Sequence, residues 1–336
     1  MSVKIAVDAM GGDFAPLEIV KGAVQAAREY SIGLILVGDE NKIKEELAKY
    51  DTSGLDIDIV HTDEVIEMGE SPSKALRTKK KASIVLTVEE VAKGNAQGLV
   101  AAGSTGAAMA ASLFGLGRLP GIHRPTICCT MPSVKKYVVL VDGGANSDSE
   151  PKMLYQSAIM GRIFAQTVLG YENPTVGLMN IGEEEGKGNE LVKATFPLLE
   201  ARKEDLNFIG NVEGRDVFTG DCHVAVTDGF VGNVILKTAE GVLNLVSTLL
   251  KDAYKSSPFA MILGLLSKPI FKSIKQRVGY EEIGGALLLG VRGISVIAHG
   301  SSKAISVKNA IRVAKEAVEK DVNKKIVETY ENYKEE

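Results

Sequence analysis

The sequence predicts an α/β fold: a Rossmann-like, mainly parallel sheet with helices on both faces. Three observations predict it. Short β-branched runs alternate with longer amphipathic stretches along the 336 residues. Composition is that of an ordinary globular protein, 45% apolar and 24% charged. Glycine is enriched, 35 of 336 or about 10% against a usual ~7%, and it gathers where the strand-like runs end.

The first strand is expected over residues 3–7, followed by the turn DAMGGD at 8–13. Leu17, Val20, Val24 and Ala27 then recur at helical spacing. Further strands are expected over 34–37, 99–102, 138–141, 175–180, 224–227 and 295–298, with a second helical stripe through Val234, Leu236, Val242 and Leu245. No repeat, low-complexity tract or linker interrupts the pattern. Residues 1–336 therefore read as a single α/β domain, or as two lobes sharing a sheet.

Six strand exits are rich in glycine: 8–13, 103–106, 142–146, 180–188, 228–233 and 299–302. In an open α/β sheet the ligand crevice lies outside the carboxyl ends of the strands, so these loops are expected to converge on one side. Glycine admits close backbone approach, and a helix starting beyond it offers free N–H groups to an anion. Singly, each loop is accounted for by ordinary turn formation; together they point to a phosphate-sized anion site.

Net charge is −4, from 39 Lys and Arg against 43 Asp and Glu, so a nucleic-acid partner captured by overall positive charge is not expected. Cys128, Cys129 and Cys222 cannot form a disulfide framework and lack zinc spacing. All three read as core packing, with a thiol nucleophile left open. The amino terminus has no signal-peptide pattern and no apolar run reaches bilayer length, so a cytoplasmic protein is expected.

No nucleotide motif fits. Residues 182–188 are one residue short of a P-loop and carry Gly188 where Ser or Thr should bind magnesium, and 103–106 lack the first glycine of GxGxxG. No metal-ligand cluster or GxSxG elbow is present. His299, at a strand end before Gly300, Ser301 and Ser302, suits a general acid or anion donor as well as a histidine bonded to a backbone carbonyl. Arg124 and Lys187 are flexibly placed cations, phosphate clamps or solvated surface charges. The run of Arg77, Lys79, Lys80 and Lys81 is a solvated face or a landing surface for an acidic partner.

Residues 251–280 differ most from the rest. Six cations against Asp252 alone give +5, leaving −9 elsewhere. Phe259, Ile262, Leu263, Leu266, Ile270, Phe271, Ile274 and Val278 follow helical spacing, with Pro258 and Pro269 as helix starts or a break between two short helices. Lys268 and Lys272 lie among them. A protruding basic, apolar-striped helical segment suits an anionic membrane surface. It equally suits packing against a second subunit.

These residues resemble the PlsX phosphate acyltransferases of bacterial phospholipid synthesis. The resemblance covers nearly the whole chain and rests on DAMGGD at 8–13, ALRTKK at 75–80, AGSTG at 102–106, VDGGAN at 141–146, GLMNIG at 177–182, GNVEG at 210–214, TDGFVGN at 227–233, GGALLLG at 284–290 and AHGSS at 298–302. Ser104, where Asn is usual, and Gly143, where a β-branched residue is common, depart from the pattern. The resemblance implies attack of inorganic phosphate on the thioester of a long-chain acyl group on acyl carrier protein, giving acyl phosphate and free carrier thiol. It also implies a fold like that of the isocitrate and isopropylmalate dehydrogenases and phosphotransacetylase, no cofactor or metal, and a homodimer.

Phosphate is already a nucleophile, so the chemistry asks for positioning and oxyanion stabilisation. On this reading His299, Lys187 and Asn233 are catalytic. Asp8, Gly103, Ser104, Thr105, Arg124, Asn146, Asn180, Asp228, Ser301 and Ser302 bind phosphate or thioester, phosphate lying among the Gly103, Lys187 and His299 loops. Arg77 and Lys79 to Lys81 meet the carrier. Phe259, Ile262, Leu263, Leu266, Lys268, Phe271 and Lys272 meet the membrane, peripherally, where a glycerol-3-phosphate acyltransferase would consume the product. The alternatives are a phosphotransacetylase-like enzyme acting on short acyl-CoA and a peripheral membrane scaffold without catalysis.

Overall fold

The computed structural model describes residues 3–278 and 283–333. Its inner strands are buried on both faces, as a sheet covered by helices on both sides requires. The strands are β1 (Lys4–Asp8), β2 (Gly33–Gly38), β3 (Ile57–His61), β4 (Gly98–Ala101), β5 (Thr126–Pro132), β6 (Tyr137–Val141), β7 (Val176–Met179), β8 (Phe208–Val212), β9 (Val224–Val226), β10 (Ala286–Leu289) and β11 (Ile294–Ile297). One sheet contains all of them, in the order β3-β2-β1-β4-β11-β10-β5-β6-β9-β7-β8. The seven expected strands are present within a residue or two. β3, β5, β8 and β10 are additional to these seven.

Direction is the main departure from expectation. β3-β2-β1-β4-β11 are parallel to one another, and so are β6-β9-β7-β8. Between them, β10 is antiparallel to β11 and β5, and β5 is antiparallel to β6. Three successive reversals turn the second parallel set against the first. The six glycine-rich exits therefore do not leave from one side: those after β1, β4 and β11 emerge at one end of the strands, those after β6, β7 and β9 at the other. Register makes this concrete, since Val141 pairs with Cys128, Cys128 with Leu287 and Leu287 with Val296. β6 ends level with the third residue of β11, running away from His299.

The helices are α1 (Leu17–Tyr30), α2 (Glu40–Leu47), α3 (Pro72–Thr78), α4 (Ser83–Ala92), α5 (Thr105–Leu116), α6 (Pro151–Thr167), α7 (Glu190–Glu200), α8 (Lys203–Leu206), α9 (Gly214–Thr219), α10 (Gly229–Lys255), α11 (Pro258–Val278), α12 (Ala304–Glu319) and α13 (Val322–Asn332). One face of the sheet is packed by the apolar stripes of α1, α6 and α12, the other by α4 and α5 and, over the second half, by α9 and the start of α10. In α1 the expected stripe is buried at Val20, Val24 and Ala27, whereas Leu17, in the first turn, is exposed.

α10 and α11 form a hairpin. Its two arms are joined where the Tyr254 ring meets Phe271 edge-on, centroids 5.5 Å apart, and where Gly264 lies against Tyr254. Pro258 starts α11, but Pro269 lies inside it rather than breaking it. Phe271, expected at a membrane, is half-buried in the hairpin because Tyr254 occupies its face. Phe259, Ile262, Leu263 and Leu266 are exposed, as are Lys268 and Lys272. Val242 and Leu245, expected on a core-facing stripe, are 51% and 57% exposed, so the apolar surface runs onto α10 as well. Among the described residues no helix is long and apolar enough to cross a membrane. The side chains of Lys275, Arg277 and Val278, and residues Gly279 and Tyr280, lie outside the described residues.

Candidate active site

Two groups of loops line the ends of the strands. The first joins the exits of β1, β4 and β11. Asp8 is buried, which raises its carboxyl above the ordinary range, while the backbone N–H groups of Met10 and Gly11 oppose that rise by donating to it. Gly12 has φ +106°, and a Cβ there would lie 2.9 Å from the carbonyl oxygen of Ala102 and 3.1 Å from that of Gly300. Only glycine lets the three exits close on one another here. The N–H of Asp13 donates to Gly300 O at 2.9 Å, completing the lacing.

Ser104 caps α5 by accepting from the N–H of Ala107 at 3.4 Å. Thr105 is exposed just beyond the buried Gly103, so the first free N–H groups of α5 open at this end, where the helix dipole favours an anion. His299 is exposed in the same group. Its Nδ1 accepts the backbone N–H of Ser301 at 3.2 Å and lies 2.8 Å from Ser301 Oγ. A backbone N–H can only donate, so the neutral imidazole carries its proton on Nε2. Ser302 is buried, its N–H donating to His299 O at 2.9 Å.

The second group is built on Asp142, which is almost fully buried. Its carboxylate accepts from the N–H groups of Ile127 (3.0 Å), Gly144 (3.0 Å), Ala145 (2.8 Å) and Asn146 (2.9 Å) and from Asn146 Nδ2 (2.9 Å). Burial raises its carboxyl and these bonds oppose the shift. Asn146 Nδ2 also donates to Pro125 O at 2.8 Å, and the N–H of Gly229 donates to Asn146 O at 2.8 Å, tying the exits of β6 and β9 together. Asp228 is engaged as the cap of α10, accepting from Phe230 and Val231 N–H at 2.9 Å each. Asn233 is exposed one turn further on, beside Gly144.

Asn180 and Lys187 share the neighbouring exit of β7, where Asn180 Nδ2 donates to Lys187 O at 3.1 Å. Lys187 is exposed and follows the exposed carboxylates Glu183, Glu184 and Glu185. It belongs with the β6, β7 and β9 exits, not with Gly103 and His299 as expected, because β7 runs opposite to β4 and β11.

α5 connects the two groups. A cavity of about 360 Å³ lies along it, lined by Met109, Leu113 and Phe114 of the helix together with Leu288, Arg124 and Asn146. Gly106, in the first turn of α5, borders the same cavity. The fold thus brings Arg124 and Asn146 together on an apolar cleft that begins near Gly103. Phe114 at its rim is 78% exposed. The sequence carries no signal for this wall, since a cavity-facing apolar residue and a core one have the same pattern.

The remaining expectations divide. Lys79 is engaged within the chain, its Nζ reaching Glu70 Oε1 at 2.5 Å and Val65 O at 2.7 Å, whereas Arg77, Lys80 and Lys81 are exposed. Cys128 is buried and its thiol strongly raised; desolvation pushes Cys129 and Cys222 up to about 12. None is a thiolate near neutral pH, in keeping with core packing.

Comparison with known proteins supplies an independent line. The model of the fatty acid synthesis protein family matches residues 3–325. A phosphate acyltransferase of Pelotomaculum thermopropionicum is 52% identical over 317 residues, 94% of this chain and 92% of that protein. A second, from Halothermothrix orenii, is 50% identical over 95% of this chain and 96% of its own length. Among solved structures, a phosphotransacetylase from Streptococcus pyogenes superposes with a TM-score of 0.63 at 16% identity, covering 94% of both chains. That likeness is one of fold.

Proposed function

The chain belongs to the fatty acid synthesis protein family and is an acyltransferase of the phosphate acyltransferase kind, and we propose that its donor is a long-chain acyl group on acyl carrier protein, its acceptor inorganic phosphate, and its product an acyl phosphate for phospholipid synthesis. The observation that carries the reading is full-length relatedness to phosphate acyltransferases, from the β1 exit through the His299 loop.

A phosphate oxygen attacks the thioester carbonyl carbon, the tetrahedral oxyanion collapses, and the C–S bond breaks to leave a carrier thiolate. Phosphate needs no activating base, so the site has to hold it and stabilise charge. The amides opening α5 at Gly103 to Thr105, with Ser104 and Ser301 beside them, suit the anion. In its imidazolium form His299 is suited to protonate the thiolate from Nε2, which leaves the neutral imidazole. The cleft along Met109, Leu113 and Phe114 suits the acyl chain, with Asn146 and Arg124 in its lining. Lys187, Asn180 and Asn233 belong to the loops across the sheet, and their part in the reaction is secondary on this reading.

Acyl phosphate is hydrolytically fragile and its chain is apolar. Release at a membrane, where a glycerol-3-phosphate acyltransferase would consume it, gives the exposed apolar face of the α10–α11 hairpin a purpose, with Lys268 and Lys272 facing anionic lipid. The same hairpin is suited to pairing in a homodimer. The deciding experiment incubates the protein with long-chain acyl carrier protein and phosphate and traps acyl phosphate as hydroxamate with hydroxylamine. Phosphate-dependent hydroxamate is expected. Product from short acyl-CoA alone would make the protein a phosphotransacetylase; none from either donor would leave a membrane scaffold.

A further inference from the structure

A second cavity, of about 510 Å³, has no part in that scheme. Its lining combines Arg118, His123, Lys152 and Arg292 with residues 119–122 and, among the described residues, holds no carboxylate. All four of those side chains belong to exposed residues. Among the described residues the two guanidinium groups each donate one bond to a backbone carbonyl, Arg118 Nη1 to His123 O and Arg292 Nε to Arg118 O, the latter at 3.0 Å. A guanidinium has five N–H donors, so most remain for a ligand. The start of α6, where Lys152 sits, adds the positive end of a helix dipole.

The 118–123 loop, which carries Arg118 and His123, is tied down from beneath. Gln156, 1% exposed, accepts from His123 N–H at 2.8 Å and donates to Gly121 O at 2.9 Å. On the other side the N–H of Leu119 donates to Gly290 O at 2.9 Å, and Arg118 bridges Val291. Three permanent cations and an imidazole around one cavity form an anion site, suited to bidentate phosphate recognition by its guanidinium groups. The next residues of the same loop, Arg124 and Pro125, line the apolar cleft along α5. An anionic group bound in the basic cavity therefore sits at the entrance to the cleft assigned to the acyl chain.

We propose that the basic cavity formed by Arg118, His123, Lys152 and Arg292 binds the phosphodiester of the prosthetic arm that joins the acyl thioester to an acidic carrier protein. This rests on the proposed donor and states how that donor is gripped: phosphodiester in the basic cavity, with the arm entering the cleft beyond Arg124 and the thioester carried toward the Gly103 end. The open, exposed rim suits a macromolecule with excess carboxylates, whose approach the cations also steer.

The test uses the full-length protein and the variant Lys152→Glu/Arg292→Gln, with thermal melting to establish that both are folded. Fluorescently labelled carrier protein is titrated with and without its phosphorylated arm, and coenzyme A is titrated separately. Wild type is expected to bind the arm-bearing carrier about tenfold more tightly than the arm-less one, and the variant to lose that margin. In turnover the variant should raise KM for the acyl carrier about tenfold while kcat changes less than about twofold. A variant that keeps the margin, a wild type that has none, or a cavity that takes coenzyme A and not the carrier arm overturns the proposal. Binding is read without turnover, so a protein that shows the margin yet makes no acyl phosphate refutes the proposed reaction and leaves this site standing.

Discussion

A Cβ built on Gly232 would lie 1.9 Å from the carbonyl oxygen of Asp142, so the first turn of α10 can approach the end of β6 only because that position has no side chain. Gly232→Ala must push the helix away from the loop that Asp142 organises, and a loss of about 1–3 kcal/mol is expected. Gly241 lies in the same helix with nothing within 4 Å of its missing Cβ, and Gly241→Ala should instead stabilise by up to ~1 kcal/mol through helix propensity. Urea midpoints of the two variants check the pair; equal effects would mean that the close approach carries no weight.

His299→Ala is expected to lower kcat by about 10²–10⁴-fold, the usual range for a lost general acid, with a much smaller change in KM. Ser301→Ala keeps the backbone N–H that fixes the tautomer and should cost far less. Hydroxamate assays across acyl-carrier concentrations separate the two parameters. Unchanged kcat in His299→Ala would remove the imidazole from proton transfer.

Asp8 gives a pH-dependent signature. Burial raises its carboxyl, so the folded chain holds that proton more tightly than the unfolded one. The stability it contributes is full below the ordinary carboxyl pKa of about 3.9 and is lost as pH rises through the higher folded value. Asp8→Asn cannot ionise. Its stability relative to wild type should therefore improve between pH 4 and pH 7, whatever the absolute cost of the substitution. Urea denaturation at both pH values measures this, and a relative stability that worsens with pH would contradict the assignment.

Leu263→Glu and Leu249→Glu place a charge on the exposed faces of α11 and α10, where these leucines are 43% and 59% exposed. Each should reduce flotation with anionic liposomes while leaving hydroxamate formation in solution nearly unchanged. If only Leu263→Glu acts, contact is confined to α11. If neither does, the apolar face serves another partner, and sedimentation of the same variants will report whether it is a second copy.

Much of the fold could be read from residue order alone. β1, β2, β4, β6, β7, β9 and β11 are short β-branched runs closed by glycine, and both cues act locally. β10 is equally apolar, but its sequence ALLL at 286–289 lacks the β-branched enrichment that distinguishes a strand from a short helical stretch. Missing it concealed the reversal of the second parallel set, because strand direction is fixed by pairing across long sequence distances. The same gap explains Lys187: its loop had the right composition, and only the antiparallel β5 and β10 put it with the opposite exits. Asp228 and Lys79 illustrate another limit, since capping a helix or pairing with Glu70 uses up a charge that composition counts as available.

The order of the sheet has a consequence for how the chain is made. β11 and β10 are the last strands in sequence, yet they lie between β4 and β5. Until residue 297 has been synthesised, the growing chain holds two separate half-sheets, each ending in an unpaired strand edge that can add a foreign strand. Truncation before Ala286 should accordingly yield aggregating material rather than a smaller folded protein, whereas a separately supplied segment from residue 283 to 333 has a slot waiting for it. Complementation of the two pieces, followed by size-exclusion chromatography, would reveal whether this enzyme is closed by its own carboxyl terminus.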